Sequence, residues 1–284
     1  MAQYPKKVWL NGEILDADSA RISVFDRGFL FGDGIYEVMA RIGGRFFYEQ
    51  AHLKRLDECL QKINIDLDTR VLSKAIPKLL KESDVIENDC LLYIQVSRGV
   101  APRKHAFPHD IAPTVMMYAT PKTFPEINTI NSSVKIMEDF RWSRCDIKTT
   151  SLLGNVMANE YAMQHGCYET LLVRNNSITE ASHCNVFFVK DKVVYTHPAN
   201  EYILDGITRQ VVLELCRELN FEVREEGIPK KSITQMDEAF LTGTSTQIAS
   251  IKQIDGHFYY RDDEIGEITK KLQRAFLLLK RKGS

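Results

Sequence analysis

The chain has 284 residues, 44% hydrophobic and 26% charged, enough to bury a sizeable core in one large domain or two modest ones. Its 37 basic and 38 acidic side chains nearly cancel, so no field of one sign draws it to nucleic acid or to an anionic membrane. The opening MAQYPKKVWLNGE lacks the apolar stretch of a signal peptide, and apolar runs such as 275–279 fall far short of a membrane span. Six cysteines without a CxxC pair (Cys59, Cys90, Cys145, Cys167, Cys184, Cys216) suit reduced thiols in the cytoplasm.

In chain order, residues 7–10 and 13–15 read as strands around Asn11-Gly12, a two-residue hairpin turn. Residues 36–42 and 45–48 flank Gly43-Gly44 as a second hairpin. A helix over 49–63 carries Leu53, Leu56, Leu60 and Ile63 on one face; a weaker one over 70–82 holds Pro77, which predicts a kink. Strands follow at 91–97 and 114–118. Residues 119–125 contain two prolines and little apolar periodicity, as expected of an interdomain linker.

Beyond it come a strand at 134–138 and a helix at 152–165 closed by Gly166. Strands at 168–173, 186–189 and 193–196 alternate with turn-rich pieces such as Asn175-Asn176. A helix runs from Gly206 to about 219, short strands lie at 221–224 and 238–242, Asp255-Gly256 makes a turn, and 263–280 is an amphipathic helix. The sum is an α/β (α+β) chain: a small α/β domain over 1–118, a linker over 119–125, and a larger strand-rich domain over 126–284.

Several patterns exclude chemistry. Gly32-Asp33-Gly34 lacks the third glycine and the strand–turn–helix setting of a dinucleotide loop. No Walker A, G-x-S-x-G or H-E-x-x-H pattern occurs. His105 and His109 have helical spacing, but Pro108 lies between them and breaks the helix that would aim both at one ion, so no metal site is expected.

What remains has a pattern. Lys148, in Cys145-Asp146-Ile147-Lys148-Thr149-Thr150, precedes an amphipathic helix and has small or apolar neighbours, unlike a solvated charge run. Glu180 ends a short strand in Ser177-Ile178-Thr179-Glu180-Ala181-Ser182. Gly206-Ile207-Thr208 opens a helix whose free N–H groups and dipole suit a phosphate, with the Thr208 hydroxyl beside them. Thr242-Gly243-Thr244-Ser245-Thr246 ends a strand with donors for the same anion, and Arg55 on the first helix adds a charge-assisted one. Taken singly, each has a bland alternative: a surface lysine, a turn glutamate, an ordinary helix start, a polar loop, a solvated helix face. Together they offer a reactive amine, an acid for a ring nitrogen and a phosphate cradle, which are needs of pyridoxal 5′-phosphate (PLP) catalysis.

Six blocks then carry a resemblance: FDRGFLFGDGIYEV (25–38), SRGVAPRKHAFP (97–108), RWSRCDIKTTSLLGNVMANEYA (141–162), GCYETLLVRNNSITEASHCNVF (166–187), THPANEYILDGITR (196–209) and FLTGTSTQIASI (240–251). Over nearly the whole chain they resemble the fold-type IV PLP-dependent aminotransferases, the D-amino-acid aminotransferases in particular. The resemblance implies a strand-rich, barrel-like second domain and transamination between a D-amino acid such as D-alanine or D-glutamate and 2-oxoglutarate or pyruvate. It makes Lys148 the covalent cofactor lysine and proton shuttle, and Glu180 the partner of the pyridine nitrogen. Arg55, Ile207, Thr208 and Thr244 become phosphate ligands, and Leu204 packs on the ring. Tyr36, Arg103 and His105 become the trap for the substrate α-carboxylate, completed across the interface of a homodimer. The alternatives on the same scaffold are a branched-chain L-amino-acid aminotransferase and an aminodeoxychorismate lyase-like enzyme, and outside catalysis a PLP-binding protein without activity. The chain departs from the pattern at Gly243, where a serine is expected, and at His183-Cys184, which replaces a serine pair beside the cofactor.

Overall fold

A computed structural model describes residues 4–124, 126, 131–261 and 264–282. Pro125, the end of the expected linker, and Asp263, the expected start of the last helix, lie outside those residues. The chain divides into two compact units.

The first unit holds β1 (Lys7–Leu10), β2 (Glu13–Asp16), α1 (Arg27–Phe31), β3 (Gly34–Ile42), β4 (Arg45–Phe46), α2 (Glu49–Lys62), α3 (Arg70–Glu82), β5 (Cys90–Ser97) and β6 (Thr114–Pro121). Its sheet is antiparallel throughout, ordered β2-β1-β6-β5-β3-β4. The Asn11-Gly12 turn places both residues at positive φ, 48° and 104°, as a tight hairpin of this hand requires. Alternation along β3 puts Ile35, Glu37 and Met39 on one buried face. There Ile35 and Met39 join Leu53, Leu56 and Leu60 of α2 and Leu72, Ile76 and Leu79 of α3 in one core. Tyr36, Tyr93 and Tyr118 line the opposite, half-buried face and stack in sequence at 5.7 Å and 5.0 Å.

Two details differ from expectation. The strand expected to end at 118 continues to Pro121, with Ala119 buried opposite Leu92, so the expected linker begins inside the sheet. Proline is tolerated as the last residue because no further ladder donor is needed there. Helix α1, too short for periodicity to betray, is capped by Asp26, whose carboxylate accepts from Gly28 N at 2.8 Å, and is closed by Gly32 at φ 67°. Residues 147–151 also belong to this unit: Ile147 enters the core, and Thr149 bridges to Ile35.

The second unit holds β7 (Asn131–Glu138), α4 (Leu153–Gln164), β8 (Glu169–Arg174), β9 (Ser177–Ala181), β10 (Asn185–Lys190), β11 (Val193–Thr196), α5 (Ile207–Glu218), β12 (Val223–Glu225), β13 (Glu238–Gly243), β14 (Gln247–Ile254), β15 (His257–Phe258) and α6 (Glu267–Lys282). They form a curled sheet ordered β12-β11-β10-β13-β14-β7-β8-β9, with β15 pairing to β14. Its interior packs Val134, Leu171, Val173, Val186, Phe188, Leu241 and Ile251. Because β10 runs antiparallel to β13 with Asn185 opposite Thr242, the turn after β9 and the turn after β13 open side by side.

Candidate active site

In the first unit the backbone of Lys148 is fixed on both sides: its N–H donates to Cys59 Sγ at 3.4 Å and its carbonyl accepts from Tyr36 N at 2.9 Å. Its half-buried amine lies 4.2 Å from the centre of the Tyr36 ring. Tyr36 and Lys148 are therefore brought together. The next residue on β3, Glu37, is fully buried, and it survives there because it is paired. Arg55 donates to it through Nε (3.0 Å) and Nη2 (2.7 Å), and His52 Nδ1 lies 2.9 Å from Oε1. Burial alone would raise the Glu37 pKa, but Arg55 and His52 outweigh it and hold the carboxyl far below the usual range. For His52 burial dominates over the pull of Glu37 and lowers the pKa, so the ring is neutral at pH 7 and donates through Nδ1. Arg55 is thus an oriented, buried cation, two of whose donors face Glu37.

Arg103 and His105 lie on the exposed segment between β5 and β6, both against Phe31: the guanidinium is 5.0 Å from that ring and the imidazole 5.7 Å. What anchors the segment is Arg27, buried in α1. It donates to the carbonyl of Lys104 at 2.5 Å and, more weakly, to that of His105 at 3.4 Å, while its Nε is 2.7 Å from Asp33 Oδ2. Arg98, also buried, holds Asp33 from the other side at 2.9 and 3.0 Å and lies 3.5 Å from the Phe107 ring. Burial pushes the Asp33 pKa up, and the two guanidinium groups bring it below its usual value.

In the second unit Glu180 is the penultimate residue of β9, with its carboxylate buried. Oε1 accepts from Arg141 Nη1 at 2.6 Å, and Oε2 from Asn185 Nδ2 at 3.2 Å and Leu204 N at 3.1 Å. Arg141 is shared with Asp139, at 2.9 and 3.0 Å. Burial outweighs these partners and raises the Glu180 pKa to about 7. Asn185 also donates to the Leu204 carbonyl at 2.8 Å, which ties Leu204 to Glu180. Ile207 and Thr208, both buried, open α5, and Gly206 before them supplies no side-chain cap to its N–H groups. A Cβ at Gly206 would lie 2.2 Å from Asn185 Oδ1, so only glycine fits. Thr244 is half-buried in the turn after β13, next to Gly243. The two departures noted in the sequence meet here: a Cβ at Gly243 would lie 3.2 Å from Cys184 Sγ, so the absent side chain makes room for the larger sulfur.

Comparison with known proteins decides what this arrangement belongs to. The family described as amino-transferase class IV matches residues 34–254. The chain belongs to the class IV amino-transferases. It is 37% identical over 274 residues to a D-alanine aminotransferase of Staphylococcus epidermidis, covering 95% of this chain and 96% of the relative. To that of Bacillus licheniformis it is 37% identical over 273 residues, 95% of each. Solved structures share the fold. A branched-chain aminotransferase of Escherichia coli superposes with a TM-score of 0.86 at 23% identity, covering 97% of this chain and 94% of the other. One from Thermobaculum terrenum in its PLP form gives 0.85 at 22%, covering 98% and 94%.

As a fold-type IV aminotransferase it is PLP-dependent, and the second unit fits that cofactor. It has a buried acid whose proton is poised near neutrality and a helix start with uncapped N–H groups, above a glycine with no room for a side chain. Sequence reasoning left Glu37, His52, Arg141, Asn185 and Arg27 unassigned in this class IV amino-transferase. All but His52 lie in the quoted blocks, but nothing in their spacing shows which groups they hold.

Proposed function

We propose that this aminotransferase moves the amino group of a D-amino acid, D-alanine or D-glutamate, to 2-oxoglutarate or pyruvate. The observation that carries the reading is Lys148: its backbone is held by hydrogen bonds on both sides and its amine lies on the face of Tyr36. The identity to D-alanine aminotransferases over 95% of the chain supports the D-amino-acid subclass.

When bound, PLP supplies a ring that takes up the electron pair left when the α-proton of the amino acid departs. Lys148 would hold PLP covalently, and its ε-amine would take and return the substrate α-proton. Glu180 keeps a proton on the pyridine nitrogen, and Arg141 and Asn185 fix the carboxylate that does so. The N–H groups of Ile207 and Thr208, the hydroxyls of Thr208 and Thr244, and the Arg55 guanidinium hold the phosphate. Leu204 packs on the ring. Arg103, His105 and Tyr36 bind the substrate α-carboxylate, and fixing that group selects which α-hydrogen meets Lys148.

The enzyme works as a homodimer in the cytoplasm. Phe25, Phe29 and Phe107, exposed by 58%, 70% and 48%, supply apolar surface for a partner. All six cysteines are free, as a reducing compartment keeps them. Among the described residues no helix is long and apolar enough to cross a membrane. A panel of D- and L-amino acids with 2-oxoglutarate as acceptor tests the reading. D-Alanine or D-glutamate is expected to turn over fastest; a preference for L-leucine overturns the subclass.

A further inference from the structure

The sequence spacing points to no metal site, yet the fold assembles three different ligand types where β8 starts and β9 ends. Glu169, the first residue of β8, is fully buried, and Cys184, just before β10, is 4% exposed. Between them in space is His183, whose side chain is 46% exposed. A carboxylate oxygen, an imidazole nitrogen and the Cys184 sulfur all lie within 4.8 Å of one another.

The carboxylate is oriented for this role. Glu169 Oε1 is held by Thr170 N at 2.8 Å, Ser182 N at 3.1 Å and the Ser182 hydroxyl. That leaves Oε2, which accepts from His183 N at 3.2 Å and meets His183 Nδ1 at 2.6 Å. An oxygen and a nitrogen this close share a proton. Ligand bonds of about 2.0–2.3 Å in a tetrahedral set need wider spacing, so a cation replaces that proton only if the pair opens. The half-exposed ring supplies that movement, and its open side is the way in. Thr246 Oγ1 lies 3.3 Å from Cys184 Sγ, close enough to donate to a thiolate, and Gly243 leaves the sulfur its space.

We propose that Glu169, His183 and Cys184 form a three-ligand site for a divalent cation of the zinc class, with water as fourth ligand. One sulfur, one nitrogen and one oxygen ligand suit Zn2+, while Mg2+ and Ca2+ demand oxygen alone. Binding takes the shared proton and the thiol proton into solvent. The site adjoins Gly243 and hence the turn carrying Thr244, but the proposal stands independently of the transamination reading.

The test is titration of the PLP-loaded enzyme with Co2+, a spectroscopic stand-in, followed by Zn2+. We expect one equivalent per chain, visible absorption of a tetrahedral, sulfur-bound Co2+, and its loss as Zn2+ displaces the ion. Cys184→Ser removes the sulfur signature and His183→Ser abolishes stoichiometric binding, each weakening Zn2+ by more than the roughly 10–100-fold that outer-shell partners command. The cofactor absorbance of each variant verifies that it is folded. Absence of stoichiometric binding by the parent enzyme overturns the proposal, and so does unchanged Zn2+ affinity in both folded variants.

Discussion

Replacing Glu37 by Gln isolates the buried charge cluster beneath α2. The carboxylate accepts two bonds from Arg55, is bonded to His52, and takes a fourth from Val38 N at 3.0 Å, all without solvent. Glutamine keeps the volume but removes the charge and turns one oxygen into a donor facing Arg55. The guanidinium is then buried without its counter-ion. Breaking a buried pair in this way costs about 3–5 kcal/mol. At about 2–4 °C per kcal/mol for a domain of 150–250 residues, the melting temperature should fall by roughly 6–20 °C. Differential scanning calorimetry of the cofactor-free protein measures the fall, and a PLP titration by absorbance should show weaker binding because Arg55 loses its orientation. A loss under about 1 kcal/mol, the range of exposed pairs, would mean that the cluster is solvated and the reasoning wrong.

Two further predictions address the site. The folded-state pKa of Glu180, about 7, lies above the ordinary glutamate value of 4.5, so its neutral form is favoured on folding and stability falls as pH rises through that window. The cofactor-free protein should therefore lose stability on the order of 3 kcal/mol between pH 4.5 and 7 relative to Glu180→Gln, read from urea midpoints at each pH; parallel curves would refute the shift. Arg27→Met should release the carbonyls of Lys104 and His105, and at about 1.5–3 kcal/mol for a bond to a charged group, the KM for the amino acid should rise about tenfold or more with kcat less affected. Unchanged KM would show that Arg27 does not position the carboxylate trap.

Local features were the legible ones. Asn11-Gly12 and Gly43-Gly44 announce hairpins by turn chemistry, and Leu53, Leu56 and Leu60 announce α2 by period. The motif blocks made the family visible because their order was specific even where each alone was weak. Glu37 was not legible as a buried anchor. Its place in β3 is shared with Ile35 and Met39, and its partners come from α2, fifteen and eighteen residues on. Arg141 sits in a stretch that reads as solvated charge, RWSR, yet it is the ion-pair partner of Glu180 thirty-nine residues away. Strand β14 follows the hydroxyl run 244–246 and opens on an amide, Gln247, so this polar approach conceals a segment whose first five residues are buried. Glu169 joins His183 and Cys184 only through strand register. In each case the information lies in tertiary pairing, which a one-dimensional pattern does not carry.

Covalent capture gives the most direct test of the amine assigned to the cofactor. Borohydride treatment of the holoenzyme, followed by digestion and peptide mass spectrometry, should leave a phosphopyridoxyl group on Lys148 alone, and Lys148→Ala should take up none and turn over no amino acid. A label on another lysine, or full activity in that variant, contradicts the account.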